Sequence, residues 1–196
     1  MPSAKNNFCI VPFSSLLVAP NGMVRTCTVA WDDLRKNKES TVKEVWSGQS
    51  IKMVRDHFLN GDYPAQCQLC KKKEEAGYLN RRQRMNLEWE NQGRVGLDGW
   101  MGVINSYKNN KAPKLQYLDI SFSNTCNLNC VMCSSEYSTS WIRHDSEFLK
   151  GQADFRKEVQ PFLHKTQVEK NFSTQLLEFS PQLQRIIIKG GEPLAD

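Results

Sequence analysis

Apolar residues gather at Leu16-Leu17-Val18 and again at Met23-Val24, on either side of Pro20-Asn21-Gly22. Asn-Gly supplies the positive φ of a tight hairpin, so this stretch predicts two strands and a turn. Ser40 or Thr41 is placed to cap a short helix through Trp46, and Ser50 a second, with Ile51, Val54, Arg55 and Phe58 spaced for one face. Asn60-Gly61-Asp62 and then Pro64 end that helix. One longer helix is predicted from near Cys67 or Cys70 to about Trp89. Residues 91–113, with Gly93, Gly96, Gly99 and Gly102, read as a connector. The run Leu115 to Phe122 predicts a strand, followed by a polar loop. Residues 138–179 read as mostly helical, with Trp141, Phe148, Leu149, Val159, Phe162 and Leu163 as candidate core positions. Arg185-Ile186-Ile187-Ile188-Lys189 predicts a strand buried on both faces. Strand, helices, strand in that order is a parallel crossover unit, so the fold class is mixed α/β.

At 196 residues and 39% hydrophobic composition, the chain can bury a core. No apolar run reaches the ~18 residues of a membrane span. The start, Met1 to Asn7, has no apolar stretch ahead of a small-residue cleavage site, so no signal peptide is expected. A cytoplasmic location without a membrane partner follows. The net charge of +5 permits an anionic partner and demands none.

The seven cysteines change the picture. An odd number cannot pair fully within one chain, and in a reducing compartment thiols stay thiols. Short spacings then point to metal. Cys126, Cys130 and Cys133 form C-x3-C-x2-C in the loop after the first of the two crossover strands. Three thiolates on one loop can hold three corners of a cubic iron–sulfur cluster and leave one iron open. A structural zinc site would instead be closed by four ligands. The bland reading is three buried apolar cysteines at chance spacing. Gly190-Gly191-Glu192-Pro193 directly follows the second strand. Glycines there let backbone approach a ligand, and ligands bind at that end of α/β sheets.

The combination resembles the radical S-adenosylmethionine enzymes. The likeness rests on Cys126, Cys130 and Cys133 and on Gly190, Gly191, Glu192 and Pro193. It implies that the three cysteines hold a 4Fe-4S cluster whose open iron chelates S-adenosylmethionine through its amino and carboxylate groups. It also implies that Gly190 to Pro193 help bind the methionyl amino group. One electron from the cluster then cleaves the sulfonium, giving a 5′-deoxyadenosyl radical that abstracts a substrate hydrogen. Val131 departs from the family, where the residue after the second cysteine is often aromatic. No individual catalytic side chain is implied.

The other four cysteines read C-x12-G-x4-C from Cys9 through Gly22 to Cys27, then Cys67-x2-Cys70. Four thiolates close one metal site, and on spacing alone zinc and iron–sulfur fit equally. The pattern also resembles the SPASM/twitch domains that accompany many radical S-adenosylmethionine enzymes. That likeness implies an auxiliary 4Fe-4S cluster in the one-cluster twitch form. The auxiliary domain usually follows the barrel; here it precedes it, as in a subgroup with an N-terminal twitch domain.

The expected organisation is a small α+β cluster domain at 1–90, a linker at 91–113, and at 114–196 the first βαβ part of a partial (β/α)6 barrel. Because further barrel strands do not follow, the expectation is the N-terminal portion of a longer enzyme, without turnover of its own. Its implied partners are an electron donor such as a flavodoxin or ferredoxin and a peptide or protein substrate. The rivals are a non-enzymatic zinc- or iron–sulfur-binding module and a nucleic-acid-binding protein. The latter would use the basic stretch Lys71-Lys72-Lys73, Arg81-Arg82 and Arg84. The bland reading of that stretch is a solvated helix face with Lys71 and Glu75 paired. A third is lysines balancing a cluster's negative charge. His57, His144 and His164 form no ligand spacing, and Trp31, Trp46 and Trp89 are expected to be packing residues.

Overall fold

The computed structural model describes residues 7–37, 40–93, 99–150, 163–168 and 172–192. The chain opens with a single turn, α1 (Val11–Ser14), that leads into strand β1 (Ser15–Val18). β1 pairs antiparallel with β2 (Val24–Arg25) through Val18↔Val24. The turn spans three residues: Gly22 N–H donates to Ala19 O at 2.8 Å, and Gly22 has φ +78°. A type I turn closed by a left-handed glycine matches the right-handed twist of its strands.

Helix α2 (Val42–Ser47) starts at Thr41, whose hydroxyl accepts from Glu44 N–H while the Glu44 carboxylate accepts from Thr41 N–H. Helix α3 (Gln49–Leu59) starts one residue after α2 ends, with Gly48 rather than Ser50 at the cap. Ile51, Val54, Arg55 and Phe58 form its buried face, as their spacing predicts. The single long helix predicted toward Trp89 is instead two, α4 (Gln68–Glu75) and α5 (Arg81–Asn91). Gly77 breaks them at φ +76°, and Asn80 restarts the chain with a capping box to Gln83. The connector also contains a helix, α6 (Gly99–Lys108). Its Ile104 is buried, and its Tyr107 meets Phe13 edge-on at 5.4 Å.

Strand β3 (Tyr117–Ser121) is wholly buried. Helices α7 (Ile142–Phe148) and α8 (Phe172–Phe179) then lead to β4 (Arg185–Lys189). The sheet order is β2-β1-β3-β4, with β1–β3 and β3–β4 parallel. The hairpin that carries Cys27 and the strands that carry the later motifs therefore share one sheet. Their core is also shared: Phe8, Leu16, Ile51, Trp89, Leu118, Ile120 and Phe179 belong to one apolar cluster.

β4 corrects one expectation. Ile186 and Ile188 are 53% and 54% exposed, because β4 is an edge strand and one of its faces is open. Leu149 is buried as expected, Phe148 is exposed, and Val159 and Phe162 lie outside the described residues. Trp46 and Trp89 are core residues; Trp31 is exposed, with the Arg25 guanidinium 5.4 Å from its ring. Among the described residues no helix is long and apolar enough to cross a membrane.

Candidate functional site

Three separate pieces of chain bring Cys9, Cys27, and the pair Cys67 and Cys70 to one cavity. Cys9 lies just before α1, and Cys27 lies just past β2, so the hairpin returns the chain to Cys9. Pro64 begins a single 3-10 turn that ends at Cys67, and Cys70 sits in the first turn of α4. Val11, Pro12, Val29 and Phe58 complete the apolar wall, and Arg81 and Arg82 enter from the start of α5. The space between them opens partly to solvent.

All seven cysteines are free thiols. Burial, then the neighbouring Cys27, pushes the Cys9 thiol well above its ordinary range. Burial also raises Cys27, and burial with Cys27 and Cys70 pushes Cys67 up to about 12. Several thiolates packed together without water repel one another, so without a cation the site stays protonated. A thiophilic metal group reverses this, since its ligands bind deprotonated. Among the described residues no three His, Cys, Asp or Glu side chains are placed to hold a single metal ion.

Helix α5 holds this wall in place. Arg82 donates to Glu74 Oε1 and to the Phe8 carbonyl, each at 2.7 Å. Asn86 donates to the same carbonyl at 2.8 Å and accepts from Ile10 N–H at 3.0 Å. The backbone on both sides of Cys9 is thereby fixed. Asn80 donates to the Cys70 carbonyl at 3.0 Å. Tyr63 donates to Glu74 Oε2 at 2.5 Å. Sequence reasoning missed Asn80, Asn86 and Glu74; only the Asn80-x-x-Gln83 cap signalled the turn that places them. Lys71, Lys72 and Lys73 face solvent, with Lys71 paired to Glu75 at 3.9 Å, as the solvated-face reading of the basic stretch has it; they do not face the cysteines. Cys70 occupies the inward position of α4, so the three residues after it sweep the outer face.

The second motif lies at the carboxyl end of β3. Cys126 and Cys133 are half-buried and Cys130 is exposed. Burial raises the Cys133 thiol, and Cys126 and Cys130 add to the rise, so the three lie within electrostatic reach of one another. Asn124, fully buried, organises the loop. Its amide donates to the carbonyls of Ser135 and His164, each at 3.0 Å, and its carbonyl accepts from Thr166 N–H at 2.8 Å. Thr139 and Ser140 hydroxyls donate to the Cys126 carbonyl at 3.0 and 2.8 Å. Val131, 95% exposed, stands at the tip with Met132.

Gly190 and Gly191, at the end of β4, press against the root of this loop with φ +75° and +52°. A Cβ on Gly190 would lie 2.6 Å from Ser121 Cβ, and one on Gly191 would lie 2.2 Å from Thr125 O. Gly191 N–H donates to Tyr137 O at 2.7 Å, and Glu192 N–H to Thr125 O at 2.8 Å. The glycines are therefore required by close backbone approach to the cysteine loop. Pro193 lies outside the described residues.

An ion pair links the flanks of the two cysteine sites. Arg25, buried and two residues before Cys27, pairs at 3.9 Å with the half-buried Glu136, three residues after Cys133. The histidines take other roles: His57 Nδ1 lies 2.8 Å from Met53 O, and His144 packs against Trp141.

No curated protein and no solved structure matches the chain. A family model, SPASM, described as an iron-sulfur cluster-binding domain, matches residues 9–72. That window begins at Cys9 and includes Cys27, Cys67 and Cys70, the four cysteines of the first cavity. Residues 9–72 thus carry the sequence pattern of an iron–sulfur cluster-binding domain.

Proposed function

We propose that the chain is the cluster-binding part of a radical S-adenosylmethionine enzyme with one auxiliary 4Fe-4S cluster. One observation carries the reading. The C-x3-C-x2-C loop and the Gly190-Gly191-Glu192 segment stand at the carboxyl ends of adjacent parallel strands, bonded through Glu192 N–H to Thr125 O. Two segments about sixty positions apart are thereby side by side, at the end where α/β sheets bind ligands, which supports reading them as one cofactor site. The SPASM match at residues 9–72 supports the auxiliary half.

In this reading Cys126, Cys130 and Cys133 hold three irons, and Cys9, Cys27, Cys67 and Cys70 close the second site. When bound, the open cluster and S-adenosylmethionine supply the one-electron chemistry that generates a carbon radical. The chain's own residues position it. Asn124 sets the loop's shape, and Gly190 and Gly191, free of side chains, let the end of β4 close on its root. A peptide or protein is the proposed substrate, and a flavodoxin- or ferredoxin-like donor the proposed electron source. Metal analysis tests the assignment. Anaerobically reconstituted protein should carry about eight irons, four per cubic cluster. Cys130→Ala should lose one cluster and Cys67→Ala the other. Stoichiometric zinc at the N-terminal four cysteines would overturn the auxiliary assignment in favour of a zinc module.

A further inference from the structure

Arg81 and Arg82 both line the four-cysteine cavity, yet their surroundings differ. Arg82 is clamped by Glu74, in an ion pair of 2.7 Å, and by the Phe8 carbonyl. Its charge is largely spent on that carboxylate. Arg81, the first residue of α5, has a fully enclosed Nε that meets no hydrogen-bond acceptor. It also lines a smaller neighbouring cavity with Cys27, Tyr117 and Asp119, so it stands between the cysteine site and the sheet. On the sheet side its guanidinium engages the Tyr117 hydroxyl, which leaves Nε still without an acceptor. An arginine is a donor only and stays charged. An enclosed N–H left without an acceptor is unfavourable, so a ligand that supplies one there is favoured. Apart from Arg82 and Thr26, the walls of the cysteine cavity are apolar or thiol.

We infer that Arg81 is a potential-setting residue of the N-terminal site, donating its Nε–H to sulfur of the cluster bound there and stabilising the cluster's reduced state. This rests on the cluster reading of that site. Thiolate and sulfide sulfur would supply the acceptor that Nε lacks. The reduced cluster carries one more negative charge than the oxidised one, so a desolvated guanidinium favours it. Hydrogen bonds to sulfur and net charge are among the principal determinants of such potentials. The step is a single electron passing from an external reductant to the cluster, with no bond made or broken.

The test is an EPR-monitored dithionite titration of the full chain carrying Cys126→Ala, Cys130→Ala and Cys133→Ala, so that only the N-terminal cluster reports. Arg81→Met should shift the oxidised-to-reduced ratio at fixed potential at least tenfold toward oxidised, which is about 59 mV for one electron. Arg81→Lys, which keeps the charge but loses the Nε–H, should fall between. Arg84→Met removes the same charge from the exposed face of α5 and should change the ratio less than about twofold, given screening by solvent. Iron retained with an unmoved potential in Arg81→Met overturns the inference while leaving the cluster reading intact. Should Arg81→Met fail to hold iron, Arg81→Lys decides, and an unshifted potential there overturns it equally. Zinc in place of iron in the parent protein would overturn the cluster reading, and this inference with it.

Discussion

Replacing Gly191 with alanine should damage the three-cysteine loop although Gly191 is not a ligand. A non-glycine residue in left-handed backbone costs about 1–2 kcal/mol. Gly191 adds a collision, since its Cβ would stand 2.2 Å from Thr125 O, about 1.2 Å inside ordinary contact at 3.4 Å. The obstacle is main chain, with the Thr125 carbonyl carbon and nitrogen at 3.0 and 3.1 Å behind it, so no side-chain rotation relieves it. Separating the segments breaks Gly191 N–H to Tyr137 O and Glu192 N–H to Thr125 O. Each bond is worth about 1 kcal/mol net, giving a loss of about 3–4 kcal/mol. Gly61 is the internal control: it has φ +81°, and a Cβ added there would meet nothing within 4 Å, so Gly61→Ala should cost only the backbone share. Urea denaturation of both variants measures the difference. Equal midpoints for the two would refute the close packing of Gly191 on the loop root.

Asn124→Ala removes three hydrogen bonds and strands the buried Ser135 carbonyl and Thr166 N–H, so urea unfolding should show a loss of about 2–3 kcal/mol or more. A loss below about 1 kcal/mol would show that water replaces the side chain. Burial alone would raise the Glu74 carboxyl, but hydrogen bonds from Arg82, Asn80 and Tyr63 together hold it below its ordinary value of 4.5. A depressed folded pKa stabilises above the unfolded value, and that share is lost as pH falls through the folded one. Metal-free protein should therefore lose stability below about pH 4.5, and Glu74→Gln should flatten that fall; parallel pH profiles for the two would remove Glu74 from the account.

Local signals are legible in the chain. Thr41 with Glu44, Gly22 in the hairpin, the α3 face and the extent of β4 all follow from neighbours within a few residues. The spacing of Cys126, Cys130 and Cys133 is legible because it lies within one loop, and so is the Cys67-x2-Cys70 pair; that Cys9 and Cys27 join this pair in one cavity is a tertiary fact. The features that sequence reasoning missed have a non-local or masked cause. Helix formers on both sides of Gly77 hide the break between α4 and α5, although Asn80 and Gln83 mark the restart. Glycines in 91–113 conceal the apolar spacing of Val103, Ile104 and Tyr107 that packs α6 on the core. An isoleucine run does not tell an edge strand from a central one, so the exposure of Ile186 and Ile188 leaves no mark in the sequence. The parallel pairing of Ser15–Val18 with Tyr117–Ile120 joins residues about a hundred positions apart and leaves no local trace. Arg81 is visible only as one charge in a basic stretch; its enclosure against the cysteines is a tertiary fact.

The most direct test of the central claim is EPR of the anaerobically reconstituted, dithionite-reduced protein, recorded with and without S-adenosylmethionine. The account predicts two overlapping 4Fe-4S signals, of which only the one lost on substituting Cys126, Cys130 and Cys133 changes when S-adenosylmethionine is added. The Cys9, Cys27, Cys67 and Cys70 signal should stay as it was. A response to S-adenosylmethionine that survives removal of all three loop cysteines, or none at all from a loaded loop cluster, would contradict it.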